Sequence, residues 1–331
     1  MDQVTIIVPA STANVGLGYD VWALGLKRPQ LRLTYIRKRH PGVEVAARSA
    51  SPALADRILG YAGKLALESF LREHGIGEGA YLYYEDEGYP MGGLGRSGAE
   101  AVGAIIAAAV VYDKRLSREE VVLFSAKGEP GEHKDNVAAS TNGRFNIIAT
   151  SPLTGRVTID CYDAPEDLGV AIGFSSHKKR GGTAEARRVL ESPARAEDLI
   201  VQMGLVSAMT AAFVTGNTDR VLEVAWGDRF HERRRADSGA YGAFTYREFQ
   251  ELKRKLFAEF HVALLVSGAG PNMTVLYNKR RYPHGVVAAI APVMSQWFQE
   301  RGIDLELREA EIATEGAYDY AQRQYAWQRL L

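Results

Sequence analysis

The 331-residue sequence has one cysteine, Cys161, which excludes an internal disulfide framework and any multi-cysteine zinc site. With no disulfide signature, a cytoplasmic location is expected. An excess of either charge is also missing. Forty Lys and Arg face forty Asp and Glu, a formal net charge of +0. The basic surplus that counterion release demands of a nucleic-acid coat is therefore absent, and no nucleic-acid partner is expected. The longest small-apolar stretch, Ala101–Tyr112, is well short of the roughly 20 residues that span a bilayer. The start, Met1–Pro9, is a β-branched run with an early Asp2 and lacks the basic lead of a signal peptide. No membrane partner is expected. There is no low-complexity region and no internal repeat, and Arg233–Arg235, too short for a nucleic-acid tail, reads as a solvated helix face. What is present, 46% hydrophobic and 24% charged residues, is the composition of an ordinary globule. At this length the chain buries about three quarters of its unfolded surface without covalent help.

The periodicities predict a mixed α+β chain. Strands are expected over Val4–Val8, Leu31–Lys38, Gly42–Ala47 and Ala80–Tyr84. Helices are expected over Pro52–Arg72, Ser97–Tyr112 and Arg118–Lys127, the last with Ser117 as N-cap and Glu119 and Glu120 in its first turn. Phe145–Ala149 and Val157–Cys161 read as a hairpin, and Cys161 as a buried strand residue. After a turn-rich stretch, Asp163–Asp167, a second half begins with a strand at Leu168–Phe174. Helices are expected over Thr183–Leu190, Ala196–Thr215, Thr218–Trp226, Tyr246–Phe257 and Gly285–Arg301. Strands are expected over His261–Ser267, Met273–Tyr277 and Asp304–Glu311. Two domains follow, residues 1–165 and 166–331, each with helices grouped between strands.

Pro90-Met91-Gly92-Gly93-Leu94-Gly95-Arg96-Ser97-Gly98 stands between a strand and an Ala/Gly-rich helix. Glycines let a backbone approach an anion closely, and the helix start adds unpaired N–H groups and partial positive charge. Ser97 adds a hydroxyl suited to a phosphate or Mg²⁺. The segment is neither a Walker A loop nor a Rossmann fingerprint. By itself it indicates an anion site, or only a Gly-rich turn with a hydroxyl cap.

Three further segments narrow this reading: Pro9-Ala10-Ser11-Thr12-Ala13-Asn14-Val15-Gly16-Leu17-Gly18-Tyr19-Asp20; Gly128-Glu129-Pro130-Gly131-Glu132-His133-Lys134-Asp135-Asn136-Val137-Ala138; and Ser267-Gly268-Ala269-Gly270-Pro271. With the glycine loop, in this order, they resemble the GHMP kinases, and within them the homoserine kinases. Thr183-Ala184-Glu185-Ala186-Arg187 and Asp228-Arg229-Phe230-His231-Glu232-Arg233-Arg234-Arg235 resemble that family's Thr-x-x-Ala-Arg and Asp-x-x-His-Glu-x-x-Arg segments. The resemblance runs from residue 4 to about residue 277.

The resemblance implies a two-domain GHMP kinase fold, an N-terminal ATP-binding domain like domain 2 of ribosomal protein S5 and a ferredoxin-like C-terminal domain. It implies ATP and Mg²⁺, transfer of phosphate to the hydroxyl of a small hydroxy acid such as L-homoserine, a place in amino-acid biosynthesis, and a homodimer. Gly92, Gly93, Leu94, Gly95, Arg96, Ser97 and Gly98 would cradle the phosphates, with Ser97 and Glu129 on the metal. Asn14, Asp20, His133, Asp135, Asn136 and Thr183 would surround the acceptor. Arg187 and Arg235 would hold its carboxylate by the planar guanidinium fork, and Asp20 or Asp135 its ammonium group. Ser97, Glu129, Asn136 and Asp20 make up the catalytic set, with no dedicated base among them. Read as isolated residues, Glu129 is a helix-end carboxylate and Asp135 or Asn136 a helix N-cap.

The chain departs from the family pattern in four places. Arg96 replaces the first Ser of a Ser-Ser pair, and Glu100 replaces a small residue in the first turn of the following helix. Their i, i+4 spacing predicts an ion pair that leaves Arg96 partly available to phosphate. The His-Asp-Asn block follows Glu129 more closely than is usual, and the family's adenine-side Asn has no counterpart near Ile58. Two alternatives stay open from sequence: a kinase of mevalonate, a phosphomevalonate or another hydroxy acid, and a catalytically silent protein of the same fold.

Overall fold

The structure, a computed structural model, describes residues 1–51, 54, 59–90, 92–178, 187–190 and 195–325. The chain separates into two units. One takes Met1–Thr12, Asp20–Tyr162 and the segment from Ala313 onward; the other takes Ala13–Tyr19 and Asp163–Ile312. A cut at 165 separates the two sheets but not the two units, because residues 13–19 and those from 313 onward fall on the far side of it.

The sheet of the first unit contains β1 (Gln3–Ala13), β2 (Trp22–Lys38), β3 (Val43–Ser49), β4 (Gly79–Asp86), β5 (Phe145–Thr150) and β6 (Val157–Tyr162). Its order is β3-β4-β2-β5-β6, with β1 also paired to β2. β2 and β4 run antiparallel, from Leu31 opposite Asp86 to Lys38 opposite Gly79. β3 lies parallel to β4, which requires a crossover, and α1 (Tyr61–Glu73) supplies it. The helix expected from Pro52 thus begins at Tyr61; its first residues fall mostly outside the described ones. β2 starts nine residues before the expected strand, through a Lys-Arg-Pro stretch whose composition masks it.

α2 (Arg96–Val111) is buried almost all round, packed against α1, α3 (Arg118–Ala126), α4 (Asp135–Asn142) and β2. Its small residues make that position possible. A Cβ on Gly103 would lie 3.2 Å from Val8 and 3.3 Å from Leu33. Ser117 caps α3 through a full capping box with Glu120, as the spacing predicts. α4 follows the polar block where a helix start was one reading, but its N-cap residue is Lys134 rather than Asp135 or Asn136. Cys161, on β6, is only half-buried. The first unit closes with α10 (Ala317–Tyr325), which lies on α2 and α4. There Tyr318 donates to the Leu116 carbonyl, and Arg118 pairs with Asp319 at 2.5 Å.

The second unit has a four-stranded antiparallel sheet of β7 (Leu168–Ser175), β8 (Ala263–Val266), β9 (Met273–Asn278) and β10 (Leu305–Ala310), ordered β10-β7-β9-β8. Numbered within the unit this is 4-1-3-2, the ferredoxin-like order. Around it lie α5 (Ala196–Val214), α6 (Thr218–Val224), α7 (His231–Asp237), α8 (Tyr246–Phe260) and α9 (Val287–Gln299). Phe244, Phe249, Leu256, Met294 and Phe298 fill the space between α8, α9 and the sheet. α5 is a longer apolar segment than Ala101–Tyr112 and by length and composition alone could cross a membrane. Glu197 and Asp198 stand in its first turn.

Candidate active site

In the first unit the glycine loop joins β4 to α2, as its sequence predicts. Gly92, Gly93 and Gly95 all have left-handed backbone angles, φ 88°, 82° and 64°, which L-residues with side chains adopt at a cost. Gly95 is the N-cap of α2, and no side chain caps it. The first-turn N–H groups of Arg96, Ser97 and Gly98 therefore begin an uncapped helix, with its partial positive charge. Ser97 is exposed on that turn and Leu94 is buried beneath it. Close approach also demands the glycines. A Cβ on Gly95 would lie 2.2 Å from Ser11 Oγ and 2.7 Å from Asn136 Oδ1, and one on Gly98 3.3 Å from Asn136 Cβ.

Asn136 therefore sits against the loop, its Oδ1 accepting from Ser11 Oγ at 2.9 Å. Beside it lies a three-residue relay. His133 Nδ1 is 2.9 Å from Asp135 Oδ1, and its Nε2 is 2.9 Å from Glu129 Oε2. The short spacing after Glu129 is accommodated by a 3₁₀ turn, Pro130–Glu132, with Gly131 at φ 73° and Glu132 at φ 51°. That turn is what brings His133 back onto Glu129. Burial lowers the His133 pKa, but the flanking carboxylates outweigh it and raise it to about 10. His133 is thus already protonated at neutral pH and unable to accept another proton. Asp135 Oδ1 also accepts from the Asn136 N–H.

Glu129 is only 5% exposed, far from an ordinary helix-end carboxylate, and its Oε1 has no hydrogen-bond partner. A buried carboxylate oxygen left without a donor is costly unless a cation completes it. Oxygen donors from Ser97 and Glu129, with the rest of the shell left to water and phosphate, match what Mg²⁺ takes. The residues present fit a polyphosphate with a hard divalent ion. Among the described residues no cluster of three or more His, Cys, Asp or Glu forms a self-sufficient metal cage. Asp20 is half-buried with φ 57°, just ahead of β2.

The second unit gathers a different set. Asn14, Val15 and Gly16 are all left-handed, φ 68°, 40° and 78°, and a β-branched residue there marks backbone held by its surroundings. The holding contacts are visible. Asn14 Nδ2 donates to the Gly268 carbonyl at 2.8 Å, and Gly268 N donates to the Ala13 carbonyl. Arg235 Nη1 reaches the same Gly268 carbonyl at 3.4 Å. The Tyr19 ring lies 5.1 Å from the Arg235 guanidinium and 5.8 Å from that of Arg187. Arg235 is 2% exposed, so this one arginine leaves the solvated face, on which Arg233 is exposed and Arg234 half-buried. Behind it Asp228 pairs with His231 at 3.0 Å and accepts from the N–H groups of His231 and Glu232, while Lys253 pairs with Glu232. Thr183 lies outside the described residues.

Ser11, Tyr19 and Asp86 were not singled out from sequence. Ser11 and Tyr19 lie inside a recognised segment, so their neighbourhood was visible; Asp86, at the end of β4, gave no signal.

Residues 60–144 match the family model described as the GHMP kinases N-terminal domain. A homoserine kinase of Halorubrum lacusprofundi is 28% identical over 318 residues, covering 94% of this chain and 97% of that one. The crystal structure of homoserine kinase from Cytophaga hutchinsonii superposes with a TM-score of 0.77 at 20% identity, covering 96% of both chains. MDDEF in complex with MVAPP, AMPPCP and magnesium superposes at 0.66 and 15% identity, covering 94% of this chain and 97% of that one. The chain therefore has the fold of these kinases, matches the GHMP kinases N-terminal domain over residues 60–144, and is similar to homoserine kinases over most of its length.

Proposed function

We propose that the chain is an ATP-dependent kinase that phosphorylates the side-chain hydroxyl of L-homoserine, giving O-phospho-L-homoserine and ADP in amino-acid biosynthesis. The observation that carries this reading is the likeness to homoserine kinases over 94% of the chain. The motifs it spans are those the structure assembles into the glycine loop and the Glu129–His133–Asp135 relay. In the reaction the acceptor oxygen bonds to the γ-phosphorus, the bond to the β-phosphate oxygen breaks, and the hydroxyl proton leaves to solvent or phosphate. Such a transfer is carried by positioning and charge stabilisation.

The N–H groups from Gly92 to Gly98 would receive phosphate oxygens. Ser97 and Glu129 would hold Mg²⁺, which supplies neutralisation of the charge shared by the β- and γ-phosphates. Asn136, braced by Ser11, would present its amide to the acceptor. His133, doubly bound to carboxylates, positions Glu129 and Asp135 and takes no proton. Asp20 or Asp135 is assigned the ammonium group. Arg187 and Arg235, ordered over Tyr19, suit a carboxylate, with Asn14 and Thr183 completing the acceptor side. A homodimer in the cytoplasm goes with this reading.

The test is ADP release by the purified chain with ATP and Mg²⁺, offered homoserine, threonine, mevalonate, phosphomevalonates and pantoate in parallel. Homoserine is expected to give the highest kcat/KM. No turnover on any acceptor would refute a kinase, and turnover on mevalonate alone would refute the acceptor. Ser97→Ala and Glu129→Gln should each lower kcat on the order of 100-fold; wild-type rates in both would remove the metal assignment.

A further inference from the structure

Arg96 and Glu100 are the only charged residues of α2, and both are enclosed. Arg96 Nε donates to Glu100 Oε1 at 3.0 Å, as the spacing predicts. The remainder of the guanidinium, however, does not face outward. Its Nη1 forms an ion pair with Asp86 Oδ2, and Asp86 has no exposed side-chain surface. Nη2 is buried without a hydrogen-bond partner, and the Tyr89 ring lies 5.8 Å from the guanidinium. An arginine serving as a phosphate ligand presents its fork to solvent, where the anion arrives; this side chain is 11% exposed and turned inward.

The two carboxylates are anchored in turn. Asp86 closes β4, and its Oδ1 accepts from Gly88 N at 2.8 Å, Tyr89 N at 3.1 Å and Ser49 Oγ at 2.8 Å. These bonds shape the turn that opens the glycine loop and tie it to the end of β3. Glu100 accepts from the backbone N–H of Gly60, the N-cap of α1. The chain Ser49–Asp86–Arg96–Glu100–Gly60 therefore joins both ends of the glycine loop to two neighbouring elements of the same unit. Burial is severe enough to push the Glu100 carboxyl up to about 7 even with Arg96 beside it, so each charge depends on its partner.

We propose that Arg96 is a positioning residue: with Asp86 and Glu100 it forms a buried strut that holds the glycine loop in its nucleotide-binding shape, in place of a direct contact to phosphate. The family's serine at this position lacks the reach for such a strut. Nucleotide affinity in this chain consequently depends on Asp86 and Glu100, two carboxylates that would repel a triphosphate if they met it directly. The proposal rests on the kinase reading above.

The test uses the full chain at pH 8, with ADP binding by calorimetry and the KM values of ATP and acceptor measured separately. Asp86→Asn and Glu100→Gln should each raise the ATP KM and the ADP Kd roughly tenfold, the worth of one charge-assisted hydrogen bond. The acceptor KM should stay within twofold. A general loss of folded protein would instead lower kcat and leave both KM values alone. Arg96→Ser should weaken ADP further, because it strands two buried carboxylates. The triple variant Asp86→Asn, Arg96→Ser, Glu100→Gln, with no buried charge left, should bind ADP more tightly than Arg96→Ser alone. Unchanged ADP binding in both carboxylate variants, or a triple variant no better than Arg96→Ser, would overturn the strut. Wild-type protein that binds no ADP would instead overturn the kinase reading, and the strut's role with it.

Discussion

Gly95→Ala measures how tightly the phosphate loop is seated. Two costs arise from the structure. Gly95 has φ 64°, and an L-residue held there loses about 1–2 kcal/mol. Its new Cβ would lie 2.2 Å from Ser11 Oγ and 2.7 Å from Asn136 Oδ1. The Ser11–Asn136 hydrogen bond, now 2.9 Å, cannot survive that intrusion. Breaking it leaves buried polar groups unpaired, at about 1–3 kcal/mol. Gly155→Ala is the control, since Gly155 has φ 67° but nothing within 4 Å of its Cβ position. It bears only the backbone cost. By thermal or urea unfolding, Gly95→Ala should therefore be less stable than Gly155→Ala by about 1–3 kcal/mol. It should also lose ADP affinity, which the control keeps. Adding Ser11→Ala to Gly95→Ala should recover part of the difference, because it removes the closer clash and the stranded hydroxyl while the contact with Asn136 remains. Equal losses in the two alanine variants would refute the account of the loop as packed against Asn136.

Three other outcomes follow from named contacts. Tyr19→Ala removes the ring under Arg187 and Arg235 and should raise the acceptor KM about thirtyfold, as a cation–π contact near 1 kcal/mol on each arginine implies, with the ATP KM unchanged in steady-state assays. Lys253→Met leaves Glu232 buried without its counter-charge and should destabilise the second unit by about 3–5 kcal/mol; adding Glu232→Gln should return more than half of it in denaturation curves. Glu100 titrates near 7 in the folded chain against a usual 4.5, chiefly through burial. The folded state then binds the extra proton, so this group's contribution to stability falls as pH rises from 4.5 to 7 and levels off above. Wild-type stability should decline across that window relative to Glu100→Gln by about 3 kcal/mol, and parallel profiles would rule it out.

Local signals and tertiary facts divide the sequence reading cleanly. The glycine loop, the capping box at Ser117 and the alternating strands depend on neighbours a few residues away, and each was legible. Arg235 was legible only through its motif, since the triplet around it looks solvated; Asp228, Gly268 and Tyr19 determine its burial, and they come from distant segments. α4 was legible only as a start behind Asp135 and Asn136, without its extent, because it is eight residues long and opens on polar side chains. α10 was missed because Arg, Asp and Gln alternate with its tyrosines. The Arg96–Glu100 bond was legible from spacing, whereas Asp86 was not, because a carboxylate ten residues away on a strand end gives no periodic signal. Its ion pair encloses a guanidinium that the i, i+4 spacing alone leaves partly open to phosphate.

The first unit is discontinuous: it holds both the opening strands and α10, with most of the second unit threaded between. During synthesis β1 to β6 emerge long before the helix that covers α2 and α4. The glycine loop's own helix must wait, partly uncovered, until the second unit has been made. A premature stop just before Ala313 would delete none of the residues assigned to phosphate, metal or acceptor, yet it would strip Tyr318 and Asp319 from Leu116 and Arg118. Such a truncated chain would keep every catalytic letter and fail as a solubility and folding problem, a class of defect easily mistaken for a harmless loss of the tail.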